Sequence, residues 1–185
     1  MRILGIAGSL RTGSYNRALL NAAAELAPDG MHVDVWDRLG DIPHYNADLD
    51  NDESRPAVVD DFKGAIGEAD GVLVVSPEYI YGVPGVLKNA LDWASRPPNK
   101  SSLGGKPAGV MGASTSLIGT ARAQVQLRDA LFACMVNVMP YRDVAVGMAK
   151  DKFADGRLTD EKTRDFVREY LRALADFVSR VAGGS

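Results

Sequence analysis

Three observations in the 185-residue sequence predict a three-layer α/β domain. Short apolar runs bounded by turn residues recur at 2–7, 31–36, 71–75 and 107–111, and a fifth, interrupted at Pro140, lies within 136–146. Between them are segments with apolar residues at helical spacing, at 16–26, 58–69, 84–94, 121–134 and 160–181. A chain of this length supports one substantial core and not two. The alternation therefore reads as a five-stranded parallel sheet with helices on both faces, the arrangement that right-handed crossovers impose. Both common doubly wound strand orders fit it. The domain is expected to span 1–182, with 183–185 frayed.

Taken in order, RILGIA at 2–7 is a buried strand, followed by a Gly8-Ser9 turn and a helix. Residues 31–36 alternate, with Met31, Val33 and Val35 on one side and His32, Asp34 and Trp36 on the other, as in a strand nearer an edge. The connection 37–56 is long and polar and carries Pro43, Pro56 and four acids, Asp48, Asp50, Asp52 and Glu53; such a loop is functional, at an interface, or disordered. After the strand 71–75, Pro77 forces a turn and Pro84 launches a helix from its first position. A basic, Gly-rich connection at 97–105 leads to the fourth strand, which ends at Gly112. The helix 121–134 is expected to bury Val125, Leu127, Leu131 and Phe132, with Cys134 on the same apolar side. Phe166, Val167, Tyr170, Leu171, Leu174, Phe177 and Val178 mark the inner face of the closing helix.

Composition excludes several functions. Lys plus Arg number 21 against 24 Asp plus Glu, a net charge of −3 with no basic stripe, which argues against a nucleic-acid partner. A single cysteine excludes an internal disulfide, the chain opens on a strand-like run, and no apolar run nears the ~20 residues of a membrane span, so a cytoplasmic protein is expected. His32 and His44 lack ligand-spaced partners and read as surface histidines. Asp48, Asp50 and Asp52 mimic part of a calcium loop but lack its glycine and distal glutamate, so no metal site is expected. Ala7-Gly8-Ser9-Leu10-Arg11 is not a nucleophile elbow.

Two loops carry the chemistry. The stretch 76–93, SPEYIYGVPGVLKNALDW, sits at the carboxyl end of the third strand, where open α/β sheets bind ligands. It offers backbone amides around Glu78 and Ile80 beside the rings of Tyr79 and Tyr81, a surface suited to a flat, polar-edged ring. The first loop, GSLRTGSYN at 8–16, precedes a helix N-terminus that favours an anion. Its glycines have the wrong spacing for a dinucleotide fingerprint, and Ser14 and Tyr15 stand where a Walker A loop needs lysine and a hydroxyl. Ser9, Thr12, Ser14 and Asn16 with one guanidinium, Arg11, match a single phosphate monoester. The plainer alternative is that Ser14 caps the helix and Arg11 is solvated. Arg122 opens a later helix, where it meets a nucleotide phosphate, a partner subunit or solvent. Together the two loops describe a flavin mononucleotide (FMN) across the sheet edge, as in the flavodoxin-like strand order 2-1-3-4-5.

GSLRTGSYN, SPEYIYGVPGVLKNALDW and GASTSLIGTARAQ at 112–124 resemble the three signature segments of the NAD(P)H-dependent FMN reductase family, which includes chromate, quinone and azo-dye reductases. The resemblance implies a flavodoxin-like fold, bound FMN, and a homodimer, sometimes paired into a homotetramer, with flavin sites near the subunit interface. By position, Ser9, Arg11, Ser14 and Asn16, with Tyr15 beside them, would hold phosphate and ribityl groups. Pro77, Glu78, Tyr79, Ile80 and Tyr81 would line the isoalloxazine, and Ser114 would close the far side. The family commonly has Asn where Ile80 stands, so a side-chain hydrogen bond to the ring is lost here. The implied activity is hydride transfer from NADPH or NADH through FMN to a quinone, azo dye, free flavin or metal oxyanion such as chromate, by a ping-pong scheme needing no catalytic side chain. The alternatives are a flavodoxin-type electron carrier, for which −3 is a mild charge, and a flavin-free interaction or sensor protein of the same fold.

Overall fold

A computed structural model describes residues 1–98 and 100–184. Asn99, in the basic connection, and Ser185, in the expected frayed end, lie outside the described residues. The strands are β1 (Arg2–Ala7), β2 (His32–Trp36), β3 (Gly71–Val75), β4 (Pro107–Ala113), β5 (Asn137–Val138) and β6 (Val144–Val146). The helices are α1 (Tyr15–Glu25), α2 (Ala57–Glu68), α3 (Gly85–Ala94), α4 (Ala121–Ala133) and α5 (Glu161–Gly183). The sheet is parallel with order β2-β1-β3-β4-β5, and β6 also pairs with β4, which is the flavodoxin-like order. Pro140 accounts for the split fifth strand, because it cannot donate to a ladder.

Alternate residues of the central strands face two separate cores. Ile3, Ala7, Leu73, Val75, Met111 and Ala113 pack with α1 and α5. Leu4, Ile6, Val72, Val74, Ala108 and Val110 pack with α2, α3 and α4. This two-sided burial explains why β1, β3 and β4 read as continuous apolar runs and not as alternating ones. The expected burial of α4 holds for Leu127 and Leu131, but Val125 and Phe132 are exposed, at 58% and 78%. They point away from the sheet because α4 presents one narrow stripe to it. Cys134 lies just past the helix, half-buried, and burial pushes its thiol above the usual range, away from the reactive thiolate.

The long loop after β2 is tied down from α3. Asn89 accepts from Tyr45 N at 2.7 Å and donates to Pro43 O at 2.9 Å, and Trp93 Nε1 donates to the same carbonyl at 2.8 Å. Two of its acids are held by arginine: Arg55 meets Asp50, Asp52 and, from α2, Asp60 at 3.1–3.3 Å. A hairpin, β7 (Phe153–Ala154) and β8 (Arg157–Leu158), was not expected; its signal was Asp155-Gly156, both at positive φ as a type I′ turn requires.

Tyr170 anchors α5 to the middle of the sheet. Its hydroxyl donates to Val110 O at 3.1 Å and accepts from Val110 N at 2.8 Å, and Gly109 leaves room for it. Burial pushes its pKa up to about 12 from the usual 10.0. A raised folded-state pKa contributes stability that is fully present below pH 10 and is lost as pH rises through about 12. Tyr170→Phe is expected to cost about 1–3 kcal/mol at neutral pH by leaving Val110 unpaired. Urea unfolding at pH 8 and pH 11.5 checks both points: the wild type should lose more stability between the two than the variant does.

Candidate functional site

Three loops meet at the carboxyl ends of β1, β3 and β4 and enclose a cavity of about 420 Å³. Its wall is Ser9, Arg11, Ser14, Tyr15 and Asn16 from the first loop, Pro77, Glu78 and Tyr79 from the second, and Ala113, Ser114 and Thr115 from the third, with Lys150 at the rim. The strand order brings them together, since β1, β3 and β4 are adjacent and parallel and so end on one edge.

At the first loop, Ser14 caps α1 by accepting from Arg17 N at 3.2 Å. The amides of Tyr15 and Asn16 belong to the first turn, which has no intrahelical acceptors, so the positive end of α1 opens on the cavity. Ser9 is buried, with its hydroxyl 3.3 Å from Tyr79 Oη, which links the first and second loops. Arg11 folds back over its own loop, its guanidinium carbon 5.4 Å from the Tyr15 ring centre, and it forms no ion pair among the described residues. Asn16 lines the cavity, but its amide is engaged by Ala113: it donates to Ala113 O at 2.9 Å and accepts from Ala113 N at 2.8 Å. Asn16 therefore locks α1 to the end of β4, and what it brings to a ligand is the position of both.

The second loop is built around a tight turn. Tyr79 and Gly82 exchange backbone hydrogen bonds of 3.0 and 3.1 Å, and the two central residues, Ile80 and Tyr81, have φ of +48° and +63°. Type I′ turns favour Asn, Asp and Gly at these positions, and a β-branched residue there is strained. Ile80 and Tyr81, expected at a ring, do not line the cavity; they form the turn's tip, with Ile80 fully exposed. The Asn that the resemblance implies at this position would suit this backbone better than Ile80 does. Ile80→Asn is expected to raise stability by about 1 kcal/mol, read as a higher urea midpoint with unchanged slope.

The turn is held against α4. The Glu78 carboxylate accepts from Arg122 N at 3.0 Å, Ala123 N at 3.1 Å and Arg122 Nε at 2.8 Å, so a residue of another loop caps α4, whose own N-cap, Thr120, makes no side-chain cap bond. Arg122 also lies over the Tyr81 ring at 3.8 Å, and Gln126 Nε2 donates to Tyr81 O at 3.1 Å. Arg122 is therefore a clasp on the loop. The sequence points to Glu78 through its neighbours but gives no sign of this cap, because the partners lie more than forty residues apart. Thr115, Ala113 and Lys150 were also missed; Lys150 reaches the rim only because β6 returns beside β4.

The cavity fits FMN on three counts. A helix N-terminus with two hydroxyls suits the phosphate, the strips 77–79 and 113–115 flank a slot, and the lining's one carboxylate, Glu78, is neutralised by α4 and Arg122. An anionic ligand meets no free negative charge there.

The family model for NADPH-dependent FMN reductases matches residues 1–151. An NAD(P)H-dependent FMN reductase of Pseudomonas aeruginosa is 45% identical over 184 residues, covering 99% of this chain and 98% of that one. A quinone reductase of Escherichia coli K12 is 38% identical over 183 residues, covering 98% and 97%. Among solved structures, a flavoenzyme NAD(P)H:(acceptor) oxidoreductase of Paracoccus denitrificans superposes with a TM-score of 0.87 at 36% identity, covering 97% of each chain. The model match and the full-length identities together place the chain in the NADPH-dependent FMN reductase family.

Proposed function

We propose that the protein is an FMN-dependent oxidoreductase that takes a hydride from NAD(P)H and passes two electrons to a quinone or a free flavin. The observation that carries this reading is the three-loop cavity with its helix N-terminus, in a chain of the NADPH-dependent FMN reductase family. FMN, when bound, would supply the two-electron redox chemistry between the nicotinamide and the acceptor.

The chain's own residues bind and orient. Ser9, Ser14 and the first amides of α1 would hold the phosphate, with Arg11, now over Tyr15, supplying a positive charge. Residues 77–79 and Ser114 and Thr115, which line the cavity, would hold the ring between them. The one carboxylate in the described lining, Glu78, is committed to α4 and so is not free to serve as a general base. Solvent reaches the cavity mouth and supplies the acceptor's protons. An open, loop-built mouth that must admit donor and acceptor in turn supports a ping-pong scheme, and azo dyes and chromate join the acceptors on the strength of the family resemblance. Parallel initial-rate lines would be the result expected; intersecting lines would sink that scheme.

The same reading makes the protein a cytoplasmic homodimer or homotetramer. Among the described residues no helix is long and apolar enough to cross a membrane. Ile80, Leu117 and Val125 leave apolar surface near the site, and Phe132 adds to it farther along α4, for a second copy to cover. Light scattering on a sizing column tests this, and a monomer at micromolar concentration would overturn it.

The deciding experiment is an anaerobic visible spectrum of the FMN-reconstituted protein before and after NADPH or NADH. Bleaching of the flavin band by either nucleotide is expected. A band that neither nucleotide bleaches would favour an electron carrier, and a protein that takes up no FMN would leave a flavin-free interaction or sensor role.

A further inference from the structure

We infer that Lys150 is a phosphate-binding residue of this site, supplying a second positive charge to the phosphate monoester of FMN. The inference rests on the proposed FMN site.

A phosphate monoester carries roughly 1.5 to 2 negative charges at neutral pH. The first loop answers with helix amides, hydroxyls and one guanidinium, which leaves part of that charge without a cationic partner. Lys150 lines the same cavity from the opposite end of the sequence, and neither Lys150 nor Arg11 forms an ion pair with a carboxylate among the described residues. Most arginines elsewhere on this surface are paired with acids, as in the Arg55 cluster and at Arg128 and Asp143, so Arg11 stands out, and Lys150 adds a second unpaired cation to the same cavity wall. Both line the cavity, so their charge is open to a ligand there.

The backbone beneath Lys150 is fixed. Ser114 N donates to Val146 O at 2.9 Å, Met148 N to Ser116 O at 3.0 Å and Ala149 N to Ser114 O at 3.0 Å, so the segment is stitched to the third loop. Met148 takes a left-handed conformation, φ +52°, to make the corner, and Ala149 is fully buried against the α1 side of the sheet. The lysine therefore leaves a fixed base with its residue exposed, and, three positions on, the Phe153 ring lies 5.3 Å from that of Tyr15 at the start of α1. A lysine ammonium acts as a point charge that needs no fixed approach angle, which suits a phosphate already held by directional hydrogen bonds.

The nicotinamide donor offers a second source of the same chemistry in the 2′-phosphate of NADPH, and the test separates the two. Dissociation constants of FMN and riboflavin are measured by fluorescence quenching on wild-type, Lys150→Gln and Lys150→Arg apoprotein, with KM for NADPH and NADH on the loaded enzymes. The inference predicts that Lys150→Gln weakens FMN roughly five- to twentyfold, leaves riboflavin within about twofold, and loses most of its effect in 0.5 M salt, while Lys150→Arg stays near wild type. Equal weakening of both flavins, or unchanged FMN affinity, would overturn it. A rise in KM for NADPH alone would overturn it too, assigning the charge to the donor's phosphate. If wild-type protein binds no FMN, the site reading itself has failed, which is distinct from failure of the lysine's role. The Lys150 side chain makes no contact the fold depends on, so matching melting curves will show that the variants are folded.

Discussion

Gly112→Ala is expected to cost about 3 kcal/mol or more and to abolish tight FMN binding. A Cβ at this position would lie 2.0 Å from Thr120 Oγ1 and 2.4 Å from the carbonyl oxygen of Ser76. Neither can yield easily. Thr120 is fully buried and its hydroxyl accepts from Gln124 Nε2 at 3.0 Å. Ser76 belongs to the chain leaving β3, with its own amide bonded to Met111 O at 2.9 Å. Relief by moving Ser76 would carry Pro77 and Glu78 with it, and so would deform the cavity wall. The fitting control is Gly64→Ala on α2, where an added Cβ meets nothing within 4 Å and a gain of about 0.5–1 kcal/mol is expected. Thermal melts and FMN titrations of both variants check the pair of outcomes; a Gly112→Ala protein as stable as wild type would mean that the two loops are not locked as described.

Glu78→Ala is expected to cost about 2–3 kcal/mol and to weaken FMN binding about tenfold or more, because it removes the cap of α4 and unties the second loop. The magnitudes rank the contacts. The Arg122 guanidinium is half exposed, so its ion pair with Glu78 is screened and worth well under 1 kcal/mol. The two backbone amides of α4 have no other acceptor, and the Glu78 side chain that reaches them is only 7% exposed, so they dominate. Glu78→Gln keeps an acceptor oxygen and should lose about half as much, and Arg122→Ala less than that. Equilibrium unfolding of the three variants gives the order directly. If Arg122→Ala were the most damaging, the stacking on Tyr81 at 3.8 Å, and not the cap, would be what holds the loop.

Strand and helix positions, the parallel sheet and the family were legible in the sequence because they rest on local quantities. Apolar runs at 2–7, 71–75 and 107–111 report burial on both faces, Pro84 reports a helix start, and the first two signature segments are contiguous stretches. The same locality explains the misjudgements. Val125 and Phe132 are apolar but exposed, since periodicity marks a stripe without fixing its width. The chain makes positive-φ turns at Asp155-Gly156 and at Ile80-Tyr81; the first has the expected residues, and the second exists only because Tyr79, Gly82 and α4 hold it.

By itself the sequence determined the order of elements and two loops with the donor types for a phosphate and a flat ring. What each of those residues is free to do follows from the packed fold. Asn16 is spent on Ala113, Glu78 on the first turn of α4, and Arg122 on Glu78 and Tyr81, while Lys150 is delivered to the rim by a strand from much later in the chain. The reason is that a hydrogen-bonding group's availability depends on which partners the fold places within about 3 Å of it, and pairs distant in sequence leave no local pattern to read.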